Sequence, residues 1–153
     1  MIKVDPKADS DEVVAILPFI GEKILMHLRD FNPKIRHPGY WAFFSGSVQE
    51  GERPREAAER EILEEIGYRV QDMTELGRLY ISDLNDLVSH AFTCSILVPL
   101  EELHLTEGLE MALVTPEEIR SKSIYSQRLK RFLPVAPTSY IQDALNLALL
   151  ARR

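Results

Sequence analysis

The stretch Gly46–Tyr68, GSVQEGERPREAAEREILEEIGY, constrains this chain more than any other. Pro54 suits the first turn of a helix, and Gly67 suits the left-handed position just past its end, so the spacing predicts a helix over Pro54–Ile66. Arg53 precedes it, where Ser or Thr would be the usual cap. Residues three and four apart share a helix face, so Glu61, Glu64 and Glu65 are forced together. At about 100° per residue, with Glu61 set at zero, Glu65 falls near about +40° and Glu64 near about −60°. Ala58, Ile62 and Ile66 form a separate apolar stripe, which gives the helix one edge for docking and one acidic edge. Like charges at these spacings cost an isolated helix roughly 0.2–0.5 kcal/mol per pair. A chain that keeps such a cluster either leaves it in open solvent or neutralises it with a cation.

The rest of the chain supplies a sheet for that helix. Glu12–Ile20 reads as a strand, with Lys23–Arg29 as its hairpin partner across Gly21-Glu22. Asp30–Tyr40 holds two prolines and a glycine and reads as a loop. Trp41–Phe44 reads as a short aromatic strand. Further strands are expected at Glu75–Asp83, Leu87–Pro99 and Met111–Val114. Thr115-Pro116-Glu117-Glu118 is a capping box that opens a short helix. Ser126–Leu133 reads as a second short helix carrying Arg128, Lys130 and Arg131. Ser139-x-x-Gln142 is another capping box, opening a helix with Ile141, Ala144, Leu145, Ala148 and Leu149 on one face. The expected class is α/β, a mixed sheet with helices on both sides.

The length of 153 residues suits one compact domain, residues 1–153, and no repeat or linker divides it. The net charge of −6 argues against nucleic-acid binding, which needs a basic surface. It does not exclude a small anionic substrate, because a bound divalent metal reverses the local sign. No stretch has the length of a membrane-spanning helix, and MIKVDPKADSDE has no basic start and no apolar signal core. Cys94 is the only cysteine, which excludes an internal disulfide, and its apolar setting suits packing. The default compartment is the cytoplasm.

The acidic edge suits Mg²⁺, with Mn²⁺ as a substitute, because both take hard oxygen ligands. The Gly46–Gly51 loop could add a backbone carbonyl. The stretch resembles the Nudix box, G-x5-E-x7-R-E-U-x-E-E-x-G-U, where U is bulky and apolar. Gly46, Glu52, Arg60, Glu61, Ile62, Glu64, Glu65 and Gly67 fill its fixed positions, and Tyr68 takes the final U as a mild departure. Trp41-x-Phe43 upstream, and Glu107-Gly108 followed by Met111–Val114 and the Thr115 capping box downstream, extend the likeness. Ser45 and Phe44 stand where a glycine and a proline are common.

The resemblance implies a Nudix-type α/β/α sandwich and hydrolysis of a nucleoside diphosphate linked to another moiety. A nucleoside triphosphate or a nucleotide sugar would be such a substrate, a small molecule rather than nucleic acid or membrane. By position, Glu61, Glu64, Glu65 and Gly46 match metal ligands. Glu61, Glu64 and Glu107 are the catalytic candidates, and the choice of general base is open. Glu52 and Arg60 match a structural ion pair. Arg29 and Trp41 are the substrate-binding candidates, for a phosphate and a base respectively. For Glu107 the competing role is a solvated loop carboxylate, for Arg29 a surface ion pair, and for Trp41 the core. The sequence around His37 and His90 offers no cluster of ligating residues that would make them metal ligands. Related small enzymes are often dimers, so a homodimer is expected too. A non-catalytic Nudix-like nucleotide sensor is the alternative, but such modules usually lose box glutamates. An isopentenyl-diphosphate isomerase-like activity would need a cysteine upstream of the box, and Cys94 lies downstream.

Overall fold

A computed structural model describes residues 12–81 and 87–152. The acidic N-terminal segment and the predicted strand end at Asp83 lie outside the described residues. β1 (Glu12–Ile20) and β2 (Lys23–Leu28) form a hairpin, followed by β3 (Trp41–Ala42) and β4 (Phe44–Ser47). Then come α1 (Pro54–Ile66), β5 (Thr74–Ile81), β6 (Leu87–Ser95), β7 (Glu110–Val114) and α2 (Pro116–Ser121). The chain ends with β8 (Ser123–Ser126), β9 (Arg131–Pro134) and α3 (Ser139–Ala151).

β1 lies at the centre of a mixed sheet, parallel to β6 and antiparallel to its other partners. Its side chains alternate between two cores, as a strand covered on both faces requires. Val13, Ala15, Leu17 and Phe19 enter the core under α3, whereas Val14 and Ile16 enter the core under α1. The architecture is therefore an α/β/α sandwich. On the first face, Tyr140, Ile141, Ala144, Leu145 and Ala148 of α3 are buried. On the second, Ala57, Ala58, Ile62 and Ile66 of α1 are buried, and the two alanines let the helix lie close to β1 and β4.

The site owes its opening to a split in the sheet. β1 and β2 pair only near their turn, at Phe19↔Ile24 and Ile20↔Lys23. They then diverge. Trp41–Ala42 joins β2, and Phe44–Ser47 crosses to join β1. The expected single strand Trp41–Phe44 is therefore two strands with different partners, and Gly46 lies on the second.

Two further expectations are corrected. Residues 126–133 are not helical: β8 and β9 form an antiparallel hairpin, Ser123↔Pro134 to Ser126↔Arg131, turning at Lys130 with φ of 55°. Ile124 and Leu133 alternate inward to the α3 core, and this period-two burial overrides the helix-forming residues between them. The N-cap of α3 is Thr138, not Ser139, and the Gln142 side-chain amide donates to Ile119 O at 3.2 Å. The Thr115 box is present, with Glu118 N–H donating to Thr115 Oγ1 at 3.2 Å and Thr115 N–H to Glu118 Oε1 at 3.0 Å.

Candidate active site

α1 begins at Pro54 in spite of the poor cap at Arg53. Glu56 compensates by accepting the Arg53 backbone N–H at 3.0 Å and its guanidinium N–H at 3.2 Å. Gly67 closes the helix at φ of 71°, donating its N–H to Leu63 O. With the apolar stripe docked on the sheet, the acidic edge faces the split between β1 and β2.

A cleft of roughly 500 Å³ lies there, within the usual range for small-molecule sites. It is lined by Gly46, Arg60, Glu61, Glu64, Glu65, Glu107 and Arg29, among others. Four elements distant in sequence thus bring together every predicted site residue except Trp41 and Glu52. Trp41 is fully buried, and its indole N–H donates to Ile124 O at 3.1 Å. That corrects its expected role. β3 turns the ring into the α3 core, where it cannot reach a substrate. Phe43 is fully buried in the same core.

Arg60 binds Glu52 in a bidentate pair, Nε to Oε2 at 2.7 Å and Nη2 to Oε1 at 3.0 Å. Nη2 also donates to Ser47 O at 2.9 Å, and Glu52 Oε1 accepts from Gln49 N–H at 3.0 Å. The pair pins the loop after β4 to the helix. These hydrogen bonds hold the Glu52 carboxyl below its ordinary range. Nη1 of Arg60 reaches Glu61 Oε1 at 2.9 Å and Glu64 Oε2 at 3.3 Å, supplying part of the charge the cluster needs.

Glu65 has no such relief. Burial pushes its carboxyl up to about 8, and the charges of Glu61 and Glu107 add to the effect, with Arg29 opposing. Its Oε2 is buried with no hydrogen-bond partner among the described residues. Burial also raises Glu61, against the pull of Arg60. Gly46 adds a steric clue, because a Cβ there would lie 2.0 Å from Glu61 Oε1. A bare backbone, an unpartnered buried carboxylate oxygen and clustered like charges suit a hard divalent cation. Among the described residues the acidic groups do not yet converge into a tight ligand cage. Arg60 holds two of them, Glu61 and Glu64.

Arg29 follows the last residue of β2, and its Nε donates to Arg36 O at 2.9 Å. Burial lowers its pKa, and nearby Tyr140, Glu65 and Glu107 oppose that shift. Glu107 lies in the cleft, whereas its sequence competitors do not. Glu110 accepts hydrogen bonds from Ser126 Oγ at 2.5 Å and from Gln127 N–H at 3.0 Å. Glu101 and Glu102 sit exposed on a short 3₁₀ turn, Leu100–Glu102.

Sequence reasoning missed His27 and Thr106, and it gave Gly108 no role beyond the family likeness. His27 lines the cleft and stacks on Phe44, with ring centroids 4.8 Å apart. Burial pulls its pKa down to about 3, so the imidazole is neutral at physiological pH. The period-two alternation of β2, which puts His27 on the same side as Arg29, was the available signal. Gly108 has φ of 100°, and a Cβ there would lie 2.8 Å from Leu28 O. Gly108→Ala therefore lowers stability by about 2 kcal/mol, a fall of roughly 5 °C in thermal midpoint measurable by calorimetry.

The model of the family described as NUDIX domain matches residues 10–135. The chain belongs to the Nudix family. Its complete box makes it a Nudix pyrophosphohydrolase by class. The fold is also similar to solved structures. A MutT protein from Methanosarcina mazei Go1 shares 17% identity at a TM-score of 0.68, covering 97% of this chain and 100% of that one. The E. coli ORF135 protein shares 23% at 0.65, covering 92% and 89%. The E. coli dihydroneopterin triphosphate pyrophosphohydrolase shares 15% at 0.63, covering 94% and 98%. At these identities the likeness shows the Nudix fold alone.

Proposed function

We propose that this Nudix protein hydrolyses the pyrophosphate linkage of a small nucleotide derivative, a nucleoside triphosphate or nucleotide sugar, with Mg²⁺ or Mn²⁺. The observation that carries the reading is the buried, unpartnered Oε2 of Glu65 beside Glu61, Glu64 and Glu107, with the Arg29 cation lining the same cleft. Glu61, Glu64, Glu65 and the Gly46 carbonyl would hold the metal. When bound, a divalent cation supplies charge neutralisation for the phosphates and acidifies the attacking water. Arg29 binds phosphate oxygens and orients the chain of phosphates. Glu107 or Glu61 accepts the water proton as the new P–O bond forms. The bridging P–O bond breaks, and the electron pair leaves on the departing phosphate. Arg60 keeps Glu61 and Glu64 oriented through its fixed attachment to Glu52.

Assay of nucleoside triphosphates, nucleotide sugars, dinucleoside polyphosphates and ADP-ribose with Mg²⁺ and Mn²⁺ tests this. The expected result is metal-dependent release of a nucleoside monophosphate, or of pyrophosphate from a triphosphate. Saturable nucleotide binding with no turnover of any member would instead establish the sensor reading, for which the intact box glutamates give no support. The buried lone Cys94 is compatible with the cytoplasm. No helix among the described residues is long and apolar enough to cross a membrane.

The Glu65 environment makes stability depend on metal and pH together. Because its folded pKa is raised, the native state binds more protons than the unfolded chain between the ordinary carboxyl range and about 8. The metal-free protein therefore loses stability as pH rises through that window. Mg²⁺ at about a hundred times its dissociation constant adds about 2.7 kcal/mol and flattens the slope. Thermal unfolding with EDTA and with Mg²⁺ across that pH range reads both effects. Identical curves in the two buffers contradict the metal assignment.

A further inference from the structure

We infer that Thr106 is a positioning residue for Glu107, tying the loop that carries Glu107 to the C-terminal carbonyls of α1. The carboxylates of helix and loop are thereby held in one frame. The inference rests on the pyrophosphatase reading and adds to it a residue that does not touch the substrate.

An α-helix leaves its last four carbonyls without partners inside the helix. For α1 these belong to Leu63, Glu64, Glu65 and Ile66. Gly67 N–H donates to Leu63 O at 3.0 Å. Partners for the other three come from a loop some forty residues on. Thr106 Oγ1 donates to Glu64 O at 3.1 Å and lies 3.3 Å from Glu65 O. Thr106 N–H donates to Glu65 O at 3.0 Å, and His104 N–H to Ile66 O at 3.1 Å. The backbone of both box glutamates Glu64 and Glu65 is therefore bonded to the residue immediately before Glu107.

The other side of Glu107 is fixed as well. Leu109 N–H donates to Leu28 O at 2.9 Å, and Gly108 passes so close to that carbonyl that a Cβ would lie 2.8 Å from it. Glu107 thus sits between two anchors, the end of α1 and the end of β2. Arg29 continues from the second anchor into the same cleft. Leu103 and Leu105 pack on the α1 core, so the loop remains docked when the hydroxyl is removed. The hydroxyl adds aim rather than attachment. A misplacement of about 1 Å in a catalytic group can cost about a hundredfold in rate.

Thr106→Val and Thr106→Ser, each made with Glu107 intact and with Glu107→Gln, test the inference by kinetics and by amide hydrogen exchange. Thr106→Val is expected to lower kcat about tenfold with KM within about twofold, and Thr106→Ser to restore most of that loss. In the Glu107→Gln background, Thr106→Val should cost nothing further, the non-additivity of two residues acting as one. Exchange should quicken in residues 104–109 of Thr106→Val and stay unchanged elsewhere. An equal loss in both backgrounds, or unchanged exchange in 104–109, overturns the inference. Glu107→Gln turning over at the wild-type rate overturns it too, while leaving the hydrolase reading standing. A wild type that cleaves no pyrophosphate defeats the hydrolase reading itself, and the exchange result still decides whether the loop is clamped.

Discussion

Glu64→Gln and Glu65→Gln each lower kcat/KM by about a thousandfold, equivalent to about 4 kcal/mol of barrier. Glutamine keeps the shape of the side chain and removes its charge, so the expected loss is one of electrostatics. The two positions differ in their effect on folding. The Glu64 side chain is 59% exposed, and its replacement leaves stability near wild type. The Glu65 Oε2 is buried, and the charges of Glu61 and Glu107 further disfavour its ionised form, so Glu65→Gln stabilises the metal-free protein while it lowers turnover. Steady-state kinetics beside thermal unfolding in EDTA would show this opposition. Variants that retain turnover within tenfold of wild type would place the chemistry elsewhere.

Gly46→Ala costs activity far more than stability, a fall of about a hundredfold or more in kcat. The added Cβ would lie 2.0 Å from Glu61 Oε1 and 2.1 Å from its Cδ. Gly46 does not have a left-handed φ, so alanine fits the backbone of β4 and the conflict is purely steric. The atoms in its way are the end of a flexible side chain, which can swing aside at modest cost. Once Glu61 swings, it leaves both Arg60 and the acidic face. The thermal midpoint should stay within a few degrees of wild type, and divalent-metal affinity by calorimetry should fall with the rate. Full activity in Gly46→Ala would mean that Glu61 has no role in its observed position.

The parts of this protein that were legible in its sequence are those set by short-range spacing. The α1 boundaries matched because Pro54 and Gly67 act on the backbone locally. The grouping of Glu61, Glu64 and Glu65 followed from helix periodicity alone. Strand β1 was legible because Val13–Ile20 is apolar throughout, as burial on both faces demands. Residues 126–133 misled because their composition favours a helix, whereas pairing between β8 and β9 and the inward alternation of Ile124 and Leu133 prevailed. Trp41 misled for a related reason. An aromatic residue before the box is equally suited to a core or to a base, and only the crossing of the chain from β2 to β1 turns it inward.

By itself the sequence determined a helix with one apolar and one acidic edge, the Arg60–Glu52 complement in register with it, and hence the family. Helical spacing alone placed those groups relative to one another. The tertiary structure alone decided which groups from other elements face that edge. His27 and Arg29 arrive because β1 and β2 splay apart. Glu107 arrives because Thr106 and His104 satisfy carbonyls that α1 cannot satisfy itself, and because Gly108 can pass Leu28. These are contacts between residues tens of positions apart, and they depend on where whole elements pack, which no local spacing encodes.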